Sequence, residues 1–128
     1  MPALTKYTLE YAINSSQKVL FNRLSTAGGL SEWFADDVTV KGKIYKFIWD
    51  GFESPAELVA RKDMKYVKFQ WLDDDKDGEF FEFRIDVDEI TGSVALIITD
   101  FAEEDEMEDA IKLWDTQIAE LKHILGTE

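Results

Sequence analysis

The chain has 128 residues, 45% of them hydrophobic and 13% aromatic, which is the size and composition of one folded domain with its own core. It contains no cysteine, so disulfides, thiolate metal sites and cysteine nucleophiles are excluded. Its formal net charge of -13 opposes binding to phosphate backbones and anionic membrane surfaces, and no basic stripe interleaved with aromatic residues offsets that charge.

No apolar run approaches the roughly 20 residues that a membrane-spanning helix needs, and the first residues lack an apolar signal core. We therefore expect a cytoplasmic protein with a single domain, residues 1–128, and with no membrane span, nucleic-acid partner or cofactor. The sequence leaves open whether the protein is a monomer or a homodimer.

The first predicted element is a strand, because apolar and polar side chains alternate over residues 6–13. Residues 14–16, Asn-Ser-Ser, supply side chains that can cap a following helix, whose apolar residues recur at helical spacing as far as Leu24. We expect residues 27–29, Ala-Gly-Gly, to break this helix and residues 30–34 to form a second short helix.

Strand signals then return along most of the chain. We predict strands over residues 38–40, 44–49, 56–61, 66–72, 80–88 and 94–101, with turns at residues 50–51, 62–65 and 91–92. In the clearest of these strands, Phe83 faces one side of the sheet, whereas Arg84 and Asp86 face the other.

The end of the chain is predicted to be one long helix. Its apolar stripe follows a three-four spacing, and the residues are Met107, Ile111, Trp114, Ile118, Leu121 and Leu125. Asp105 is a candidate cap, and Gly126 is a stop signal. Only this helix is large enough to cover the sheet, so the predicted class is α+β: a curved antiparallel sheet wrapped around the C-terminal helix, with two short helices after the first strand.

Several aromatic motifs resemble a known family. They are the Gly-Leu-x-x-Trp-Phe element at residues 29–34, the pair Phe47 and Trp49, the Val-x-Phe-x-Trp strand at residues 67–71, and Trp114 on the last helix. Together with the element order, they resemble the START-related helix-grip superfamily (SRPBCC). The most similar branch is the one named for the activator of the heat-shock chaperone ATPase.

This resemblance implies a cavity between the sheet and the C-terminal helix that accepts a lipid or another small hydrophobic molecule, with access near residues 28–34. The same aromatic side chains could instead simply fill the core. The candidate ligand-binding residues are Trp33, Phe34, Phe47, Trp49, Trp71, Phe83, Trp114 and Ile118.

Two other functions remain open at this stage. One is a protein-interaction or co-chaperone-like module without a bound ligand, in which acidic surface segments contact a protein partner. The other is a cofactor-free cyclase or hydrolase, although the sequence assigns no catalytic residue. His123 is the only histidine, and its position suits the last turn of a helix better than a catalytic site.

An acidic segment is similar to half of a calcium-binding loop. Asp73, Asp75 and Asp77 precede Gly78 with the spacing of that loop, but Arg84 stands at the twelfth position, where a bidentate acid is required. We therefore predict a solvated hairpin loop here and no metal site.

Overall fold

The computed structural model of the chain describes residues 4–72 and 79–126. The elements are β1 (Leu4–Ala12), α1 (Gln17–Ser25), α2 (Ala27–Trp33), β2 (Asp37–Lys41), β3 (Ile44–Trp49), β4 (Phe52–Lys62), β5 (Tyr66–Trp71), β6 (Phe80–Val87), β7 (Val94–Glu103), a 3-10 turn (Glu104–Glu106) and α3 (Met107–Ile124). The predicted α+β class and element order are confirmed. None of the helices in these two ranges is both long and apolar enough to cross a membrane.

Within the described residues the strands form one seven-stranded antiparallel sheet in the order β1-β7-β6-β5-β4-β3-β2. The strands from β2 to β7 pair in sequence order, whereas β1 joins the far edge beside β7. The register of β4 and β5 shifts between Leu58 and Ala60, and such an irregularity bends a strand.

The core lies between one face of this sheet and the helices. Alternate positions of the strands are buried because successive side chains point to opposite faces, and α3 contributes residues at helical spacing. The largest fully buried side chains of the sheet and of α3 include Phe47, Phe69, Phe81, Phe83, Leu96, Ile98, Ile118 and Leu121. The burial pattern of β6 agrees with the predicted alternation, and Arg84 and Asp86 are exposed.

The two short helices meet at Thr26 and not at the glycines that follow it. Of the predicted capping segment 14–16, Ser16 caps α1 by accepting a hydrogen bond from Val19 N at 3.1 Å. Thr26 ends α1 and caps α2, because its Oγ1 accepts a hydrogen bond from Gly29 N at 2.9 Å. The expectation that residues 27–29 break the helix was therefore wrong, because the capping threonine begins a new helix that includes both glycines.

The start of α3 also differs from the sequence prediction. Asp105 lies in the 3-10 turn, and the capping position is taken by Glu106, which makes no side-chain capping hydrogen bond. Acidic residues still fill the first helical turn, where negative charge suits the helix dipole. At the other end, Gly126 has a φ of 72° and donates its N–H to His123 O at 3.0 Å, which fits its predicted role as a stop.

Candidate ligand-binding cavity

A cavity of about 400 Å³ lies between the sheet and α3. Its lining comes from six strands, the residue that follows α2 and one side of α3. The lining residues are Tyr7, Phe34, Trp49, Ser54, Trp71, Glu79, Phe81, Asp100, Phe101, Ala110, Leu113, Trp114 and Gln117. Leu113 is 60% exposed and Trp49 and Trp71 are partly buried, so the cavity is open to solvent on this side.

Phe34, which follows α2, is the centre of the aromatic wall. Its ring centroid lies 5.3 Å from that of Trp49, 5.3 Å from that of Phe81 and 5.7 Å from that of Trp114. Its carbonyl oxygen accepts hydrogen bonds from Trp49 Nε1 at 2.8 Å and from Gln117 Nε2 at 3.0 Å. One backbone carbonyl therefore positions an indole from β3 and a side chain from α3 against the same ring.

A small polar cluster interrupts the aromatic wall. Tyr7 and Asp100 are directly opposite each other in the β1–β7 pair, so their side chains leave the sheet on the same face. The Tyr7 hydroxyl donates to Asp100 Oδ2 at 3.3 Å, and Trp114 Nε1 lies 3.1 Å from the same oxygen and 3.0 Å from the Tyr7 hydroxyl oxygen. The first strand, the last strand and α3 thus meet at one carboxylate.

The pKa of Tyr7 is raised well above its usual value of 10.0, first because the hydroxyl is buried and second because Asp100 places a negative charge beside it. The hydroxyl is therefore protonated at neutral pH and acts as a hydrogen-bond donor. Because almost none of the phenolate is present near neutrality, Tyr7 is poorly suited to act as a general base.

The structure brings four of the eight candidate residues together around this cavity: Phe34, Trp49, Trp71 and Trp114. Trp49 ends β3 and Trp71 ends β5, the two strands on either side of β4. Their ring centroids lie 6.3 Å apart. Trp114 is 6% exposed and closes the cavity from the helix side.

The other four candidates, Trp33, Phe47, Phe83 and Ile118, are buried in the core and do not line this cavity. The reason is that helices press directly on the sheet there. The ring of Phe83, for example, lies 5.5 Å from Trp33 and 5.9 Å from Trp114, so other side chains cover its faces. Of residues 28–34, where access was expected, only Phe34 lines the cavity.

Sequence reasoning missed Asp100, although a signal was present. Leu96, Ile98 and Asp100 occupy successive inward positions of β7, and the first two are fully buried. A carboxylate that continues an apolar, inward-facing series is unusual, because burying a charge without partners is costly. Gln117 carries a similar signal, since it lies among the buried positions of α3 next to Ile118.

The residues of two other sequence predictions, His123 and the acidic segment, are not among the described lining residues of the cavity. His123 is exposed in the last turn of α3 and is not among the lining residues of the cavity. The acidic segment with Asp73, Asp75, Asp77 and Gly78 lies outside the described residues. Within residues 4–72 and 79–126, no group of three His, Cys, Asp or Glu side chains is arranged to hold a metal ion.

Comparison with protein families identifies the class of this protein. The model of the START-like superfamily domain matches residues 1–127. The chain belongs to the START-like superfamily, a fold that commonly binds hydrophobic ligands, and this agrees with the resemblance found in the sequence. No curated protein matches the chain.

Solved structures of similar proteins support this assignment. A protein from Bacteroides fragilis, solved by NMR, is 37% identical, with 97% of this chain and 92% of that chain covered and a TM-score of 0.69. The Aha1 dimer from Colwellia psychrerythraea is 20% identical, with 94% and 96% covered and a TM-score of 0.80. A Bacillus halodurans protein is also 20% identical, with 98% and 99% covered and a TM-score of 0.74. The last two similarities concern the fold alone.

Proposed function

We propose that this protein binds a small hydrophobic molecule in the cavity between the sheet and α3. The observation that carries the proposal is an opening of about 400 Å³ with the aromatic side chains of Phe34, Trp49, Trp71, Phe81 and Trp114 in its wall. This volume lies within the range of roughly 300–1,000 Å³ that small-molecule pockets occupy. Removal of apolar ligand surface from water would drive the binding.

The composition of the wall supports a binding role. Small-molecule sites are mostly apolar and contain a few polar groups that fix the orientation of the ligand. Here the polar groups are held in place before any ligand arrives, because Asp100 accepts hydrogen bonds from Tyr7 and Trp114. Groups that are already oriented lower the entropy cost of binding.

The pKa of Tyr7 argues against this tyrosine as the acid or base of a cyclase or hydrolase. A cofactor-free enzyme of that kind needs an acid or base with a pKa near the working pH. Burial and Asp100 move the pKa of the cavity tyrosine in the opposite direction, away from neutrality. The cavity therefore favours binding over acid–base chemistry through Tyr7.

The test begins with native mass spectrometry of gently purified protein, followed by solvent extraction and identification of anything released. The decisive variant is Ala110→Phe, because Ala110 lines the cavity and a phenyl ring there would fill it. Ala119→Phe is the matched control, since Ala119 is an exposed residue of the same helix and lies outside the lining.

We expect a stoichiometric hydrophobic molecule on the wild-type protein and on Ala119→Phe, and none on Ala110→Phe. The neutral probe N-phenyl-1-naphthylamine provides a second readout if the natural ligand is lost during purification. A protein that carries no molecule and does not bind the probe would contradict the proposal. A protein-interaction module, recognised by a reproducible partner, would then be the better explanation.

A further inference from the structure

A second opening, a solvent-exposed cleft of about 720 Å³, lies between α1 and the turn that joins β4 to β5. Among the described residues, its lining and that of the cavity beside α3 have no member in common. The lining residues of the cleft are Lys18, Val19, Phe21, Asn22, Arg23, Ser25, Thr26, Arg61, Asp63 and Met64. Three of them are cationic and one is acidic, so this wall has a surplus of two positive charges in a chain of net charge -13. Such a surplus attracts anions at short range.

Arg61 lines the cleft from β4, and most of its guanidinium group is not engaged by the protein. Its Nε donates to Asp63 Oδ1 at 2.9 Å, and its Cζ lies 5.2 Å from the centroid of the Phe21 ring. Within residues 4–72 and 79–126, neither terminal nitrogen of Arg61 makes a hydrogen bond. The Asp63 side chain is 79% exposed, and an ion pair so close to solvent is weak. A more highly charged anion can therefore compete with Asp63 for Arg61.

The other two cations of the cleft come from α1. Arg23 Nε lies 2.9 Å from Glu32 Oε2, and Nη1 donates to Asn22 Oδ1 at 3.2 Å, so in the described part of the chain Nη2 makes no hydrogen bond. Glu32 is 46% exposed and lies outside the lining. Lys18 is exposed and forms no ion pair with any described residue. Guanidinium groups from a helix and a strand thus border one space, and such groups bind phosphate oxygens through paired hydrogen bonds.

The turn opposite α1 is fixed in position. Met64 has a φ of 68°, in the left-handed region that is unfavourable for a residue with a side chain. Its carbonyl oxygen accepts a hydrogen bond from Gln17 Nε2 at 2.8 Å, and its side chain packs against the core. These two contacts connect the turn to the start of α1 and to the core. The cleft therefore exists before a ligand arrives, which lowers the entropy cost of binding.

We propose that this cleft binds a phosphate monoester of a small, partly apolar molecule. A phosphate monoester has a charge of about -1.5 to -2 at pH 7, which complements the surplus of positive charge in the wall. Its oxygens accept hydrogen bonds from Lys18, Arg23 and Arg61. Its apolar part lies against Val19 and Met64, which also line the cleft. This site is separate from the cavity of the proposed function, so either proposal can fail without the other.

The test compares three aromatic probes that differ in charge: phenyl phosphate, benzoate and the neutral benzyl alcohol. Each is titrated into isotope-labelled protein near neutral pH, and the amide chemical shifts are followed by NMR. We expect phenyl phosphate to shift the amides of residues 18–26 and 61–64. It should bind at least about fivefold more tightly than benzoate, because its charge is larger. Benzyl alcohol should leave these amides unshifted.

Arg61→Gln and Arg84→Gln form a matched pair of variants. Arg84 also contacts an acid two positions away, Glu82, at 3.2 Å, and its Cζ lies 4.6 Å from the centroid of the Tyr66 ring, but it is not part of the cleft lining. We expect Arg61→Gln to lower the affinity for phenyl phosphate about tenfold and Arg84→Gln to lower it less than about twofold. Asp63→Asn should raise this affinity about threefold, because it removes the negative charge of the wall and releases Arg61. A variant that merely misfolds would not bind more tightly.

Four results would overturn the proposal. If benzyl alcohol shifted the same amides as strongly as phenyl phosphate, the cleft would not recognise charge. Equal affinities for phenyl phosphate and benzoate would exclude a preference for phosphate. An equal loss in Arg61→Gln and Arg84→Gln would mean that the probe responds only to the overall charge of the protein. Shifts confined to residues that line the cavity beside α3 would place the probe in the other site.

Discussion

Trp114 Nε1 lies 3.1 Å from Asp100 Oδ2, and this hydrogen bond joins α3 to the last strand of the sheet. The residues are only fourteen positions apart, but the chain reverses direction between them through the 3-10 turn. Tyr7 completes the contact from the first strand, 107 positions before Trp114. The cluster therefore fixes the position of the helix above the sheet at the edge of the cavity.

The first prediction concerns the hydrogen bond itself. Trp114→Phe keeps an aromatic ring but leaves Asp100 without one of its donors, so we expect a loss of roughly 1.5–3 kcal/mol in the free energy of unfolding, the range for hydrogen bonds to charged groups. Urea unfolding followed by circular dichroism measures this loss.

Trp49→Phe is the control for Trp114→Phe. It makes the same change in ring size. The hydrogen bond that it removes, however, runs from Trp49 Nε1 to a neutral acceptor, Phe34 O, and this oxygen still accepts a hydrogen bond from Gln117. The expected loss is about 1 kcal/mol. If Trp114→Phe costs no more than Trp49→Phe, the carboxylate contact contributes little to stability.

The second prediction concerns alkaline pH. Because the folded-state pKa of Tyr7 is raised above the usual value of 10.0, its contribution to stability is complete below pH 10 and is lost as pH rises toward the folded-state pKa. Above pH 10 the free energy of unfolding of the wild type should fall more steeply than that of Tyr7→Phe. Lysines titrate in both proteins and cancel in the comparison, so parallel curves from pH 7 to 11 would contradict the prediction.

The third prediction concerns the packing of α2 on α1. A Cβ atom at Gly29 would lie 2.4 Å from Asn22 O and 2.7 Å from Arg23 Cα, and both are backbone atoms that cannot move away cheaply. We expect Gly29→Ala to lower the melting temperature and to cost roughly 1–3 kcal/mol.

Gly28→Ala is the matched control for Gly29→Ala. A Cβ at Gly28 meets nothing within 4 Å, and alanine favours the helical conformation by up to about 1 kcal/mol. The two variants should therefore change stability in opposite directions. A similar loss in both would mean that backbone flexibility, and not close approach, explains the glycines.

The fourth prediction separates binding from stability. Trp71→Ala removes a partly buried indole from the cavity wall, so we expect about tenfold weaker ligand binding and a loss of up to about 3 kcal/mol in stability. Phe80→Ala removes a partly exposed ring on the adjacent strand that lies outside the lining, 4.0 Å from Lys68 Nζ. It should lower stability without lowering the affinity for N-phenyl-1-naphthylamine. Unchanged affinity in Trp71→Ala would move the site away from the aromatic wall.

The sequence predicted secondary structure well where the pattern of side chains is local and repeated. The alternation around Phe83 indicated which face of β6 is buried, and the stripe through Trp114 and Ile118 indicated the inner side of α3. Boundaries were less well predicted where a single capping group decides them. Thr26 and the glycines after it are compatible with several helix ends, and only the packing of Gly29 against Asn22 selects one.

The candidate site was predictable only in part. An inward-facing aromatic residue can either fill the core or line a cavity, and both kinds of position have the same sequence pattern. Phe47 and Trp49 alternate on the same strand, yet Phe47 is covered by its neighbours and Trp49 borders the cavity. The difference depends on where α2 and α3 touch the sheet, which involves residues far apart in the chain.

By itself, then, the sequence determined the fold class, the element order and the inward face of most elements, since these follow from side-chain periods of two and about 3.6 residues. The tertiary structure alone decided which inward side chains border an opening, and it brought Tyr7 and Asp100, 93 positions apart, into one cluster with Trp114. The physical reason is that a cavity exists where a helix does not reach the sheet, and that distance is fixed by the packing of all the elements together.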